Sequence, residues 1–413
     1  MSESILKRRR RALFPGYELF YGQPLHIVRG EGAWLFAADG RRYLDAYNNV
    51  ASVGHCHPRV VAAITGQAQH LNTHTRYLHE GVIHLAERLT EVLPGDLSSC
   101  MFVCTGSEAN DLALRIARTV TGNLGVIVHE DAYFGNTTLL ADLDGSAPRP
   151  AWVGTAVAPD DHTGRCSAPA VEECCARLTA SSHGVAALLV DAIWDSQGVR
   201  VAPVGDLAAS VAAVRRAGGL WIADEVQGGY WRTDAWWAFE SHGVVPDIVT
   251  LGKAMGAGHP VAAVVTTPAI AAAFCARAEY FNTLGGNPVS AAAALAVLDI
   301  MAEPAFQQAV RLAGERLSAG LRDLSAGHAC VGPVRGRGSF WGVELVDARG
   351  APMSATRVGW LLDHLCDEGV LAGSTGRHGN IVKIRPPLAL SPAQVDLLVT
   401  ALDRALTSVQ RGA

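Results

Sequence analysis

The chain has 413 residues, 49% of them hydrophobic and 18% charged, which excludes a disordered segment and a small disulfide-stapled fold. Acidic residues outnumber basic ones by 39 to 34, and the formal charge of −5 argues against a nucleic-acid surface spread over the molecule. A mean hydropathy of +0.18 raises the question of a membrane. The longest stretch without Asp, Glu, Lys or Arg, between Lys253 and Arg277, is broken by Gly256, Gly258, His259, Pro260 and Pro268. A span needs ~20 unbroken apolar residues, so no membrane segment is expected. The N-terminal MSESILKRRRR has no apolar run behind its charges, and the nine cysteines form no CxxC pair. Both point to the cytoplasm.

In chain order, the first ~50 residues read as short strands and turns, with Asp39-Gly40 in AWLFAADGRRYLDAY as a hairpin turn. Short runs that are apolar throughout then alternate with helical patterns: MFVC (Met101 to Cys104), GVIV (Gly125 to Val128), AALLV (Ala186 to Val190), LWIA (Leu220 to Ala223), IVTL (Ile248 to Leu251) and AAVVT (Ala262 to Thr266). Such runs fit strands buried on both faces, and helices between them predict a doubly wound α/β sheet whose strand order is not readable. From Pro288 a long Ala- and Leu-rich helical region follows, broken at Pro304. Then come a Gly-rich run (Val331 to Gly342), a helix near Arg357 to Glu368, the strand NIVKI and a terminal helix opened by Ser391-Pro392. This is a smaller α+β region.

Three segments carry chemistry. TGSEANDLALRIAR (Thr105 to Arg118) puts a small-residue turn and a helix N-terminus directly after a strand, the geometry of a phosphate site, though a plain helix cap has the same pattern. ADEVQ (Ala223 to Gln227) places two acids at a strand's C-terminal end, where α/β folds keep their ligands; solvated carboxylates are the alternative. VTLGKAMGAGHP places Lys253 just past another strand end, in a chain whose only other lysines are Lys7 and Lys383. Together these are the parts that hold pyridoxal phosphate: lysine for the aldehyde, Asp224 for the ring nitrogen, the helix N-terminus for the phosphate. Tyr133, in AYFGN, is placed to stack on the ring or to fill the core.

With these motifs in place the chain resembles the class III (ω-) aminotransferases, fold-type I pyridoxal-phosphate enzymes, from about Tyr21 to its C-terminus. The resemblance implies a large doubly wound mixed-sheet domain over residues 51–305. It also implies a small α+β domain built from both chain ends, residues 1–50 and 306–413. Matched position by position, Lys253 is the Schiff-base lysine and Asp224 the ring-nitrogen partner, with Gln227 by the phenolic oxygen. Gly106 and Ser107 match the phosphate loop and Tyr133 the stacking ring. Thr283, in FNTLGGNPVS, matches a threonine that reaches the neighbouring subunit's cofactor, which implies a homodimer with shared sites, or a tetramer made of two such dimers.

LDAYNNVASVGHCHPRVV, LNTHTRYLHE, VVPDIVTLGKAMGAGHPVA and YFNTLGGNPVS resemble, more narrowly, the ethanolamine-phosphate phospho-lyases. Where many ω-aminotransferases carry EPxxGExG, this chain has DAIWDSQG (Asp191 to Gly198), with Ser196 in place of the second glutamate. In ornithine-type enzymes that glutamate pairs with a carboxylate-binding arginine, here Arg385. An arginine left unpaired suits a single anionic substrate, and Arg76 and Lys383 are expected to join it around a phosphate. The expected function is elimination of phosphate from a small phosphorylated amine such as O-phosphoethanolamine; the alternative is an ω-aminotransferase. A non-enzymatic regulator on the same body would carry a winged-helix domain, for which the ~20 residues ahead of the resemblance are too few. No metal is expected at GHCHP (His55, Cys56, His57), which lacks a second ligand group. Lys7 to Arg11 is read as a solvated helix start. Tyr133-Phe134-Gly135 departs from the usual Tyr-His-Gly and lacks its imidazole.

Overall fold

The computed structural model describes residues 4–145 and 148–411. Seven strands form the central sheet in the order Ser99–Val103, Ala262–Thr266, Ile248–Leu251, Leu220–Asp224, Val185–Val190, Gly125–His129, Val153–Ala156. Ala262–Thr266 runs antiparallel to both its neighbours and the other pairs are parallel, so the sheet is mixed. The runs at Gly125–His129, Val185–Val190, Ile248–Leu251 and Ala262–Thr266 are buried from end to end, as unbroken apolar composition requires.

Their side chains divide by parity. Val126, Val128, Ala187, Leu189, Ile222 and Val264 pack with Leu112, Ala113 and Ile116 of the helix Gly106–Thr121. Ile127, Leu188, Trp221, Ala223, Val249 and Val265 face the opposite core, with Val171, Val211 and Val297 of the helices Ala168–Ala180, Asp206–Arg216 and Pro288–Met301. A sheet covered by helices on both faces is the doubly wound arrangement read from the sequence.

Two small sheets lie outside it. In one, Ile27–Glu31, Trp34–Ala37 and Arg42–Asp45 form an antiparallel meander, turned at Gly40 with a φ of 89°, and Val370–Leu371 adds in parallel from the far end of the chain. The other is antiparallel, in the order Val331–Arg337, Phe340–Leu345, Ile381–Ile384, Gly373–Thr375. A separate core joins Ala33, Leu44 and Ala46 to Leu317, Val343, Leu361 and Leu402.

The strand Val153–Ala156 went unread, because four residues with a central Gly-Thr carry no apolar run. The break at Pro304 separates two helices, Pro288–Met301 and Pro304–Gly327, bent by 72°. Among the described residues no single helix is long and apolar enough to cross a membrane. The GHCHP residues have structural partners: His55 bonds Asp45 at 2.7 Å and His57 caps the helix Pro58–Ala68. Lys7 to Arg11 lie in the helix Ile5–Ala12, which buries none of its residues.

One buried acid ties two of the supporting helices together. Asp206 accepts hydrogen bonds from the Ser167 amide (2.8 Å), the Ser167 hydroxyl (2.7 Å) and the Ala168 amide (2.9 Å). Removing it takes the acceptor from both amides, while the Ser167 hydroxyl keeps Ser210 at 3.3 Å. Asp206→Ala is expected to lower stability by ~2–4 kcal/mol, and Asp206→Asn, which keeps one acceptor, by clearly less. Urea unfolding of the two variants beside the parent checks this, and equal midpoints would refute it.

Candidate active site

The strand Ser99–Val103 runs into the helix Gly106–Thr121 through a closed cap. Thr105 accepts from the Glu108 amide at 3.1 Å, and the Glu108 carboxylate accepts from the Cys104 and Thr105 amides at 2.7 and 3.0 Å. The cap uses those groups, and Gly106 and Ser107 at the helix start line a cavity of about 240 Å³. The wall there is tight. A Cβ at Gly106 would lie 2.9 Å from Val226, and one at Gly135, whose φ is 140°, would lie 2.5 Å from the Ser107 hydroxyl oxygen. That oxygen accepts from the Asn136 amide at 3.2 Å.

Asp224 ends the strand Leu220–Asp224 and lines the same cavity. One carboxylate oxygen accepts from the Val226 amide and the other from the Asn110 amide group, each at 2.9 Å. Asn110 also donates to the Phe134 carbonyl at 2.8 Å and accepts from the Thr250 hydroxyl at 2.6 Å, so its rotamer is determined. Burial pushes the Asp224 carboxyl above the usual carboxylate range, against those hydrogen bonds and the nearby Lys253 charge. Lys253 follows the strand Ile248–Leu251 in the left-handed region, with a φ of 31°. Burial holds its ammonium below the usual lysine range, with Asp224 opposing. Such a backbone conformation persists only where the surrounding structure fixes it.

The second acid of ADEVQ serves structure. Glu225 is buried and accepts from the Ala238 and Phe239 amides at 2.8 and 3.0 Å, and burial pushes it up to about 8. Tyr133 lines the cavity and is 53% exposed, so it does not fill the core. Phe134 is buried behind it.

Gln227 lines the cavity and connects it to a buried polar cluster. Its amide nitrogen donates to Asp195, and its oxygen accepts from Asn49 at 3.0 Å and from the Arg385 guanidinium. Arg385 also lies 4.6 Å from the Tyr47 ring centre. Among the described residues no carboxylate pairs with it, as the sequence implied, although Gln227 and Tyr47 hold it. Lys383 does have a carboxylate partner: its ammonium lies 3.0 Å from the other Asp195 oxygen, and both side chains are buried. Asp195 sits beside Ser196, so the loop has a carboxylate one position before the missing glutamate. Asp191 lines the cavity and is pushed well up by burial and by Asp195, which the Lys383 and Arg385 charges hold down.

Arg76 and Thr283 are elsewhere. Arg76 is exposed, 4.2 Å from the ring centre of Phe281, and Thr283 is exposed two residues further on. Arg76 thus does not join Lys383 and Arg385 within one chain. The loop between Tyr47 and Pro58 separates the strands of the small sheet from the segment that carries it. Asn110, Asn49, Asp191 and Asp195 went unread. Asn110 had a signal: it stands at i+4 from Gly106, on the same helix face, where a polar side chain is a poor helix former. Asn49 and Asp195 lie in loops, where spacing reveals no face.

Three comparisons bear on this site. The description "Aminotransferase class-III" matches residues 21–406. A Drosophila melanogaster protein named alanine–glyoxylate aminotransferase 2-like is 39% identical over 98% of this chain and 87% of its own length. The ethanolamine-phosphate phospho-lyase homolog 1 of Caenorhabditis elegans is 36% identical over 99% and 94%. Among solved structures, a phospholyase from Arthrobacter in complex with phosphoethanolamine superposes with a TM-score of 0.94, at 39% identity, over 98% of this chain and 100% of that one. The chain belongs to the class III aminotransferase family and is a fold-type I enzyme that uses pyridoxal phosphate.

Proposed function

We propose that the protein is a phospho-lyase that converts a small phosphorylated amine such as O-phosphoethanolamine, with water, into aldehyde, ammonia and phosphate. The observation that carries this reading is the partner of Arg385. Among the described residues its side chain bonds the neutral Gln227 and stacks near Tyr47, with no carboxylate paired to it, while Asp195 is committed to Lys383. A guanidinium held in that state is ready for one anionic substrate. The likeness to a phospholyase bound to phosphoethanolamine supports the same choice. An ω-aminotransferase is the second reading, with Arg385 as a carboxylate anchor, and the relatives named as alanine–glyoxylate aminotransferases favour it.

The residues fit the cofactor. Gly106 and Ser107, at the N-terminus of the helix Gly106–Thr121, suit its phosphate, Asp224 its ring nitrogen, Lys253 its aldehyde, and the exposed Tyr133 ring its face. When bound, pyridoxal phosphate supplies a carbonyl for the substrate amine and a ring that draws electrons from the neighbouring carbon. Asp224, oriented by Asn110 and Val226, holds a proton at the ring nitrogen. Lys253, kept less basic by burial, takes the proton from the substrate carbon beside the nitrogen. Arg385 orients the anionic end of the substrate. With phosphate on the next carbon, the electron pair left by that proton expels it, and water then converts the remaining enamine to aldehyde and ammonia; without a leaving group, Lys253 returns the proton and amino transfer is the outcome.

The active unit in this reading is a cytoplasmic homodimer. Tyr77, Leu78, Phe281 and Leu284 are 67%, 96%, 44% and 61% exposed, beside a cleft of about 380 Å³ lined by Val82, Ile83 and Phe102. A second copy covering this apolar face would bring Arg76 and Thr283 to its partner's site.

The deciding experiment incubates holoenzyme with O-phosphoethanolamine and no keto acid. The lyase reading expects stoichiometric phosphate and aldehyde. Phosphate only in step with added pyruvate, or none, makes the enzyme a transaminase. Lys253→Ala is expected to abolish turnover and the borohydride-reducible link to cofactor; a reducible adduct at Lys7 or Lys383 would contradict the assignment. Mixed dimers of Thr283→Ala with Lys253→Ala contain one intact and one doubly damaged site if sites are shared. They should keep about half the parental activity, and complete loss would refute sharing.

A further inference from the structure

We propose that Asp195 is the fixed counter-ion that sets the charge of the anion end of the site, and that Lys383 is its ion-pair partner rather than a substrate ligand. The proposal rests on Lys253 being the reacting lysine and holds for elimination and amino transfer alike.

Lys383 is the first observation. Its side chain is 9% exposed and that of Asp195 is 2% exposed, and they meet at 3.0 Å. An ammonium taken out of water needs a charged partner, and this one has it without substrate. The second oxygen of Asp195 takes the amide nitrogen of Gln227, which leaves the Gln227 oxygen to face Arg385 and Asn49. An amide has donors on one side and an acceptor on the other, so Asp195 dictates which end of Gln227 meets the guanidinium.

The backbone that carries the carboxylate is also held in place. The Asp195 amide donates to Asp191 at 2.8 Å, and its carbonyl accepts from the Thr375 hydroxyl at 3.2 Å. The preceding Trp194 is wholly buried, and its indole nitrogen donates to buried His129 at 3.2 Å. Of the two acids in this loop, Asp195 keeps the charge, because three cations act on it, and Asp191 is pushed toward the neutral form.

Four charged groups act on Lys253. Asp224 and Asp195 favour its protonated form; Arg385 and Lys383 oppose it. The balance is two against two, and it makes the proposal testable by sign. The proton on the Lys253 nitrogen is read from the visible absorbance of the holoenzyme as pH is varied, without substrate. Asp195→Asn should lower that apparent pKa by about one unit or more, and Lys383→Met should raise it by a comparable amount. The double variant Asp195→Asn/Lys383→Met should return close to the parental apparent pKa.

Single variants that both shift the same way, or a double variant that fails to cancel them, would overturn the proposal. So would a tenfold or larger rise in KM in the double variant, which would make Lys383 a substrate ligand. If Asp195→Asn does not accumulate as folded holoenzyme, Lys383→Met against the double variant decides, since equal pKa values there exclude Asp195 as counter-ion. The titration needs no turnover, so it stands apart from whether phosphate is released.

Discussion

A cation can be kept inside a protein only against a counter-charge or a full set of acceptors, and that constraint organises the deep end of this site. Lys383 lies in the strand Ile381–Ile384, which is buried throughout, and Arg385 follows that strand directly and is also buried, so both charges are carried into the interior by the fold. Asp195 meets one of them and Gln227 the other. The partners come from four parts of the chain: Asn49 after the first strands, Asp195 after Val185–Val190, Gln227 after Leu220–Asp224, and the C-terminal strand itself. The network that prepares the site therefore also joins the small sheets to the large one. Arg232, buried behind it, donates to the carbonyls of Ser339 and Pro386 and fastens the same junction; burial holds its guanidinium down at about 9.

Much of this was legible in the amino-acid sequence for a physical reason. A strand buried on both faces must be largely apolar, and four or five residues of that kind in a row have few other uses, which is why the sheet strands at Gly125–His129 and Ile248–Leu251 stood out. Thr105 and Glu108 announce a helix start because only that spacing closes a capping box. Lys253 stood out because lysine is so scarce here. Strand order did not, since the antiparallel placing of Ala262–Thr266 depends on a loop path that leaves no periodicity. Which site Arg76 belongs to could not be read for a related reason. Its neighbours in sequence resemble a substrate-binding segment, but in one chain it packs over Phe281, and nothing local records whether a residue completes its own site.

The polar side chains around the cofactor cavity were the least legible. Asn110 fixes Asp224, and Asp195 fixes Lys383, across more than 100 residues of chain. Such pairs obey no short-range rule: each is set by which strands lie next to each other. The strand ends could be read as places where ligands gather, whereas the partners that orient each ligand-binding group could not.

Relatives of nearly equal similarity carry different names, aminotransferase and phospho-lyase, because what holds the cofactor serves both reactions. The difference has to lie where the substrate's anion is met. An enzyme that alternates between two substrates of different charge needs an arginine that can be paired in one half-reaction and released in the other. Separating a buried pair such as Asp195 and Lys383 costs ~3–5 kcal/mol, a population penalty of roughly 10²–10⁴-fold. With its backbone anchored through Thr375 and its carboxylate bonded to both Lys383 and Gln227, Asp195 has no cheap second position. The charge on this side of the site is therefore set by the fold before any substrate arrives, whichever of the two reactions follows.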